Sequence, residues 1–173
     1  MKTITEVAPE RTSAGLSLPR MASPVVLILS LGGLGVSIYL TVAHYVGGVT
    51  LACPNTGAIN CEKVTTSPQS VTFGVPVAVL GLAFFAVMLV LTLPRVWSNP
   101  DPVLRLTRVG VAVSGVGFAV YLIYTELLTL HAICLWCTSA HILALLIFAV
   151  VLFAESAAGP FTTRDTGQAR SQV

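Results

Sequence analysis

A chain of 173 residues that is 55% hydrophobic and only 9% charged is not an ordinary soluble domain, since such domains carry about a quarter charged residues. Its net charge of +2 is small and scattered, which excludes the clustered basic surface of a nucleic-acid binder. Long runs without charge point instead to a membrane protein with little soluble mass, and no internal repeat is evident.

In chain order, residues 1–23 are polar, carry Pro and Ser, and read as a disordered tail. About 20 consecutive apolar residues suffice for one bilayer crossing, and four such spans follow. The first is Pro24–Val46, too long for a signal-peptide core and followed by no clear small-residue cleavage site. The second is Val75–Leu93, the third Val109–Leu130 with a possible start near Val103, and the fourth Ile133–Phe153. Residues 24–154 thus form one transmembrane domain, and residues 155–173 a second polar tail. The stretch EKVTTSPQS in the first connection suits a short amphipathic helix on the membrane surface, and Pro76 suits the first turn of the second span.

Orientation follows from Arg and Lys, which collect on the cytoplasmic side. Lys2, Arg11 and Arg20 precede the first span, Arg95, Arg105 and Arg108 fall in the second connection, and Arg164 and Arg170 lie in the last tail. Both termini are expected in the cytoplasm and the first and third connections outside. All four cysteines then share the outer, oxidising side, where disulfides persist.

Cys134 and Cys137 belong to HAICLWC, which opens the last span. At a helix N-terminus, unsatisfied N–H groups and the helix dipole favour a thiolate. Cys137, three residues on, shares the face of Cys134 about one turn deeper. A water-facing thiol and a deeper one suit exchange between a protein and a lipid-soluble oxidant. Inert packing is the bland alternative, and a zinc site built from Cys53, Cys61, Cys134 and Cys137 with His131 or His141 is another. The uneven spacing of the first pair and an oxidising compartment count against zinc. Between Cys53 and Cys61 lie Pro54, Asn55, Gly57 and Asn60, all turn formers, so this segment can bend into a small ring and move. Exchange proceeds through mixed disulfides, so the two pairs must be able to meet. One mobile and one anchored couple form a relay.

These residues together resemble the vitamin K epoxide reductase family, in its bacterial form that oxidises thiols and reduces quinone. The resemblance rests on Cys53 and Cys61, Ser67 six residues beyond, Phe73-Gly74-Val75, and Cys134-Leu135-Trp136-Cys137 opening the last helix. It implies an all-α integral membrane protein, a four-transmembrane-helix bundle around a quinone, either ubiquinone or menaquinone. It also implies that electrons enter at Cys53 from a reduced thioredoxin-like partner, that Cys61 attacks Cys134, and that Cys137 lies nearest the quinone. Ser67 and Phe73 match positions bordering the family's quinone pocket. Mammalian members carry Tyr where this chain has His141, a departure from vitamin K epoxide chemistry. Many bacterial members carry a fused thioredoxin-like domain; the stretch after Phe153 is short and lacks cysteine, so a separate extracytoplasmic partner is expected.

His141, one turn beyond Cys137, suits a quinone carbonyl or a proton transfer as well as simple packing. Glu126, about a turn from the outer end of the third span, is expected to be solvated. His44 and His131 are placed in the outer interface without a role, and Trp136 is read as an interfacial anchor. Gly32, Gly33, Gly35, Gly115 and Gly117 read as close-packing positions between helices. The reading is a membrane thiol oxidase that supports extracytoplasmic disulfide formation. Its competitors are a metal-binding membrane protein using the four cysteines and a structural subunit whose disulfides are staples.

Overall fold

The computed structural model describes residues 18–46, 51–53 and 56–158. Most of both polar tails, and Pro54 and Asn55 of the cysteine loop, lie outside the described residues. Four long helices carry the fold: α1 (Leu18–Tyr45), α3 (Val77–Leu91), α5 (Pro102–Tyr124) and α6 (Leu135–Ala157). Between them lie two short ones, α2 (Cys61–Thr65) and α4 (Pro94–Trp97). The long helices close a ring in which α1 packs on α3 and α6, α5 packs on α6, and α5 meets α3 most thinly. This is an all-α membrane bundle.

Local sequence explains several boundaries. Pro102 opens α5 with Asp101 as its cap, the carboxylate accepting from the Val103 N–H at 2.8 Å. Asn60 caps α2 by accepting from the Lys63 N–H at 2.9 Å. Three segments are long and apolar enough to cross a membrane: Met21–Tyr45, Pro102–Leu130 and Leu135–Ala157. α3 is apolar but has 15 residues, about 22 Å of helix against about 30 Å of hydrocarbon.

The second span was expected from Val75, but a hairpin occupies its start. Strands β1 (Val71–Thr72) and β2 (Val75–Pro76) pair antiparallel, and the two-residue turn between them holds Phe73 and Gly74 at φ of 53° and 79°. Positive φ at both central positions matches the strand twist of a tight hairpin. Pro76 is therefore the residue before α3 and not part of its first turn.

The outer surface of the bundle is largely apolar, and small polar residues share the interior with an apolar core. Along α1, Ser23, Ser30 and Ser37 face inward and are buried, while Met21, Ile28, Leu31 and Ile38 are exposed to where lipid lies. Small inward residues let backbones approach where hydrocarbon surrounds the helices. Two of the five glycines expected at helix contacts serve this way: a Cβ on Gly33 would collide with the Phe85 ring, and one on Gly115 with Phe84. Gly32 makes only ordinary contact, with Leu143, and nothing approaches Gly35 or Gly117. Phe85 then joins Val26, Met88, Ala112, Ile147 and Val151 in the core.

The basic residues of the second connection are placed differently from expectation. Arg105 and Arg108 lie inside α5, and Arg108 is only 2% exposed. Both bind Glu155, Arg108 Nη1 at 2.5 Å and Arg105 Nε at 2.6 Å, and Trp97 stacks beneath Arg108 at 4.1 Å. Glu155, expected in a tail, is buried because α6 runs on to Ala157.

Candidate functional site

The opposite end of the bundle gathers the cysteines. Cys53 and Cys61 form a disulfide, and Cys134 and Cys137 are free thiols. All four belong to one packed cluster with Val64 and Ala132, in which Cys61 and Cys134 are both buried. With two of the four sulfurs bonded to each other, the thiolate set that a shared zinc site requires is not present. No group of three or more His, Cys, Asp or Glu stands in metal-binding range among the described residues.

The loop carrying the disulfide was expected to move freely, yet its described residues are held on both sides. Ala58 and Asn60 bond to Ile133, whose N–H donates to the Ala58 carbonyl at 2.8 Å and whose carbonyl accepts from the Asn60 N–H at 3.1 Å. On the other side, the Ala52 N–H donates to the Tyr39 hydroxyl at 3.0 Å and Trp136 Nε1 donates to the Ala52 carbonyl at 3.1 Å. Tyr39 and Trp136 meet ring to ring at 4.7 Å. Trp136 thus pins the loop next to Cys53, a role that its place in the motif does not reveal.

Cys134 caps α6, with its sulfur accepting from the Cys137 N–H at 3.3 Å. A hydrogen bond from the Cys137 side chain holds the Cys134 thiol below its ordinary value, against the opposing pull of burial. Its expected position at the water is not met, because α2 and the loop cover it to 0% exposure. Cys137 is partly exposed instead, into an internal cavity.

That cavity has a volume of about 410 Å³, within the range of small-molecule sites. Its walls come from all four long helices, and Val64, Thr65, Ser67 and Gln69 close it near the cysteines. The lining is mostly apolar, including Leu40, Leu80, Phe84, Phe85, Phe118 and Leu122. Ser67 is buried at its edge, its hydroxyl donating to the Val64 carbonyl at 2.8 Å. His141 is buried in the wall, and its Nδ1 has no hydrogen-bond partner. An apolar slot with one orphaned buried nitrogen and a thiol fits a flat apolar ring bearing a carbonyl oxygen.

Phe73 does not join this site. The hairpin turn carries its ring outward, 99% exposed, and it is absent from the cavity wall. His44, given no role from sequence, does line the wall from α1. Glu126 is the larger surprise: expected in solvent, it is 6% exposed and faces the same cavity. A π-helical turn over Thr125–Leu130, closed by His131 at φ 48°, turns it inward. The Glu126 carbonyl accepts from the Ala132 N–H at 3.1 Å, and its carboxyl oxygen accepts from the Cys134 N–H at 3.3 Å. His131 thereby has a backbone task. No composition signal marks a π turn, but an acid eight residues before the dithiol offered a hint.

Comparison with curated proteins gives no match. A cysteine disulfide packed against a dithiol at one end of an apolar helical bundle is an arrangement suited to exchange between thiols and disulfides. The model of the vitamin K epoxide reductase family matches residues 24–152, more than two thirds of the chain, and the chain belongs to that family.

Proposed function

We propose that the chain carries electrons from a reduced thioredoxin-like protein, through Cys53 and Cys61 to Cys134 and Cys137, and on to a quinone in the cavity. The observation that carries this reading is that Cys137 and the orphaned His141 Nδ1 share one apolar cavity. His141 would hold a carbonyl oxygen there, and Ser67 would border the ring. A bound quinone supplies the two-electron acceptor.

The remaining chemistry belongs to the chain. A partner's dithiol reduces the Cys53–Cys61 disulfide, attacking at Cys53 on the less buried side of the pair. Cys61, buried against Cys134, then attacks the sulfur of Cys134 when Cys134 and Cys137 are disulfide-bonded. Cys53 resolves the mixed disulfide, and Cys134 and Cys137 are left as thiols. The lowered thiol of Cys134 suits this exchange, since a stable thiolate leaves readily. The cysteines are read as lying on the outer side of the cytoplasmic membrane, and the partner as a separate protein.

The test is direct. Purified protein is mixed with a reduced thioredoxin-like dithiol protein and a soluble quinone, and quinone absorbance is followed. Quinone consumption by the wild type is expected, and its absence sinks the reading. Cys53→Ser is expected to block turnover driven by the protein dithiol while sparing turnover driven by dithiothreitol.

A further inference from the structure

One buried ionisable group has no place in the relay as described. Glu126 lies within the third membrane-crossing segment, 6% exposed, at the cavity wall. A carboxyl group in such a place is costly and marks function more often than packing. Among the described residues its carboxylate has one hydrogen-bond partner, the Cys134 N–H. Among the described residues no Lys or Arg lines the cavity. The titratable groups that share the cavity with it are His44 from α1 and Cys137 and His141 from α6. The backbone is irregular there: Glu126 stands in a π-helical turn over Thr125–Leu130 that ends at the left-handed His131, and of that turn Thr125 and Glu126 are the buried residues; such turns recur at functional sites.

We propose that Glu126 is the proton carrier of the Cys134–Cys137 pair, taking protons from the thiols as their disulfide forms and returning them to the electron acceptor in the cavity. This rests on the reading that the pair reduces a quinone. Disulfide formation breaks two S–H bonds, forms one S–S bond and releases two electrons and two protons. Both electrons and both protons end on the quinone class of acceptor, whose two carbonyls become hydroxyls. The cavity lining is mostly apolar, and among the described residues Glu126 is the one carboxyl facing it. Its contact with the Cys134 N–H holds it beside the pair in both protonation states, and it ends each cycle unchanged.

Two measurements test this on the full-length protein in detergent. In the first, dithiothreitol drives reduction of a soluble quinone. Glu126→Gln keeps the size of the side chain and an acceptor for the Cys134 N–H but carries no proton. It is expected to lower kcat roughly a hundredfold, the usual worth of a positioned acid–base group, with KM for the quinone unchanged. Glu126→Asp is expected to recover part of the rate. The second uses no quinone: thiolate absorbance of the fully reduced protein is titrated against pH. Losing a carboxylate beside the thiols is expected to shift thiolate formation to lower pH by about half a unit or more, whereas a Glu126 that does not couple to the pair leaves the curve in place. Unchanged kcat in Glu126→Gln, or a loss of kcat with an unmoved thiolate curve, overturns the proposal. If Glu126→Gln fails to fold, Glu126→Ala carries both measurements, and wild-type rate and titration in that variant overturn it. An inactive wild type sinks the quinone reading instead, while the thiolate titration still decides whether Glu126 couples to the pair.

Discussion

The two ends of the bundle solve the burial of polar groups in opposite ways. At the end formed by α4, the start of α5 and the end of α6, the described charges brought inside meet a counter-charge or a ring: Glu155 binds Arg105 and Arg108, and Trp97 covers Arg108, whose Nε alone has no hydrogen-bond partner among the described residues. Ser23 likewise closes on the Thr92 carbonyl at 2.9 Å. At the cysteine end, regular helix gives way to a π turn, a left-handed His131 and a tight hairpin. Among the described residues, no Lys or Arg lines the cavity that Glu126 faces there, and His141 Nδ1 has no hydrogen-bond partner. Paired groups hold structure, whereas unpaired ones in a cavity remain available to a ligand or a proton. The contrast locates the chemistry without reference to the cysteines, and the cysteines lie at the same end.

If the division is right, function and stability separate by end. Cys137→Ser exchanges one small side chain for another at the cavity wall; it is expected to abolish quinone reduction while leaving the thermal unfolding curve in detergent nearly where it was. Glu155→Gln does the converse. It leaves two guanidiniums facing a neutral amide, one of them 2% exposed, and breaking a buried ion pair costs about 3–5 kcal/mol. Denaturation in mixed micelles is expected to show that loss, with the rate per folded molecule retained. A Glu155→Gln protein of wild-type stability would show that the paired end is not what holds the bundle together.

The difference between the ends also explains what was legible in sequence. Apolar runs and cysteine spacing report on content, so four long helices and two thiol pairs at one end could be read directly. Exceptions arise where a tertiary contact decides. Arg105 and Arg108 looked like connection residues because a hydropathy window counts charges, not partners, and their partner Glu155 is about fifty residues away. Glu126 looked solvated because a helix of α pitch ends near it; the π turn adds one residue per turn locally and rotates it inward, with no change of composition to announce it. Phe73 looked like a cavity residue by position, but the two-residue hairpin points its ring outward. Trp136 looked like an interfacial anchor because its partners, Tyr39 and Ala52, come from another part of the chain.

Smaller effects sharpen the comparison where helices meet and where the loop is pinned. Gly33→Val places a branched side chain against the Phe85 ring, which packs between α1 and α3. Overpacking of this kind costs about 1–3 kcal/mol, and because Phe85 also lines the cavity, KM for a soluble quinone is expected to change along with stability.

Trp136→Phe has the smallest expected effect and bears most closely on the cysteine end. It keeps an aromatic surface for Tyr39 but removes the donor to the Ala52 carbonyl, a single hydrogen bond worth about 1 kcal/mol. That bond sits one residue before Cys53, so its loss loosens the loop on the side where a partner's dithiol is read to attack. Global stability is expected to fall only slightly. Reduction of the Cys53–Cys61 disulfide by a small phosphine, followed by mass spectrometry after alkylation, is expected to quicken by about fivefold, the factor that 1 kcal/mol represents at room temperature. Reduction at the wild-type rate would mean that the Ile133 contacts and the Tyr39 hydroxyl hold the loop without Trp136. The cysteine end would then be anchored from α1 and the entry to α6 and not from the first turn of α6.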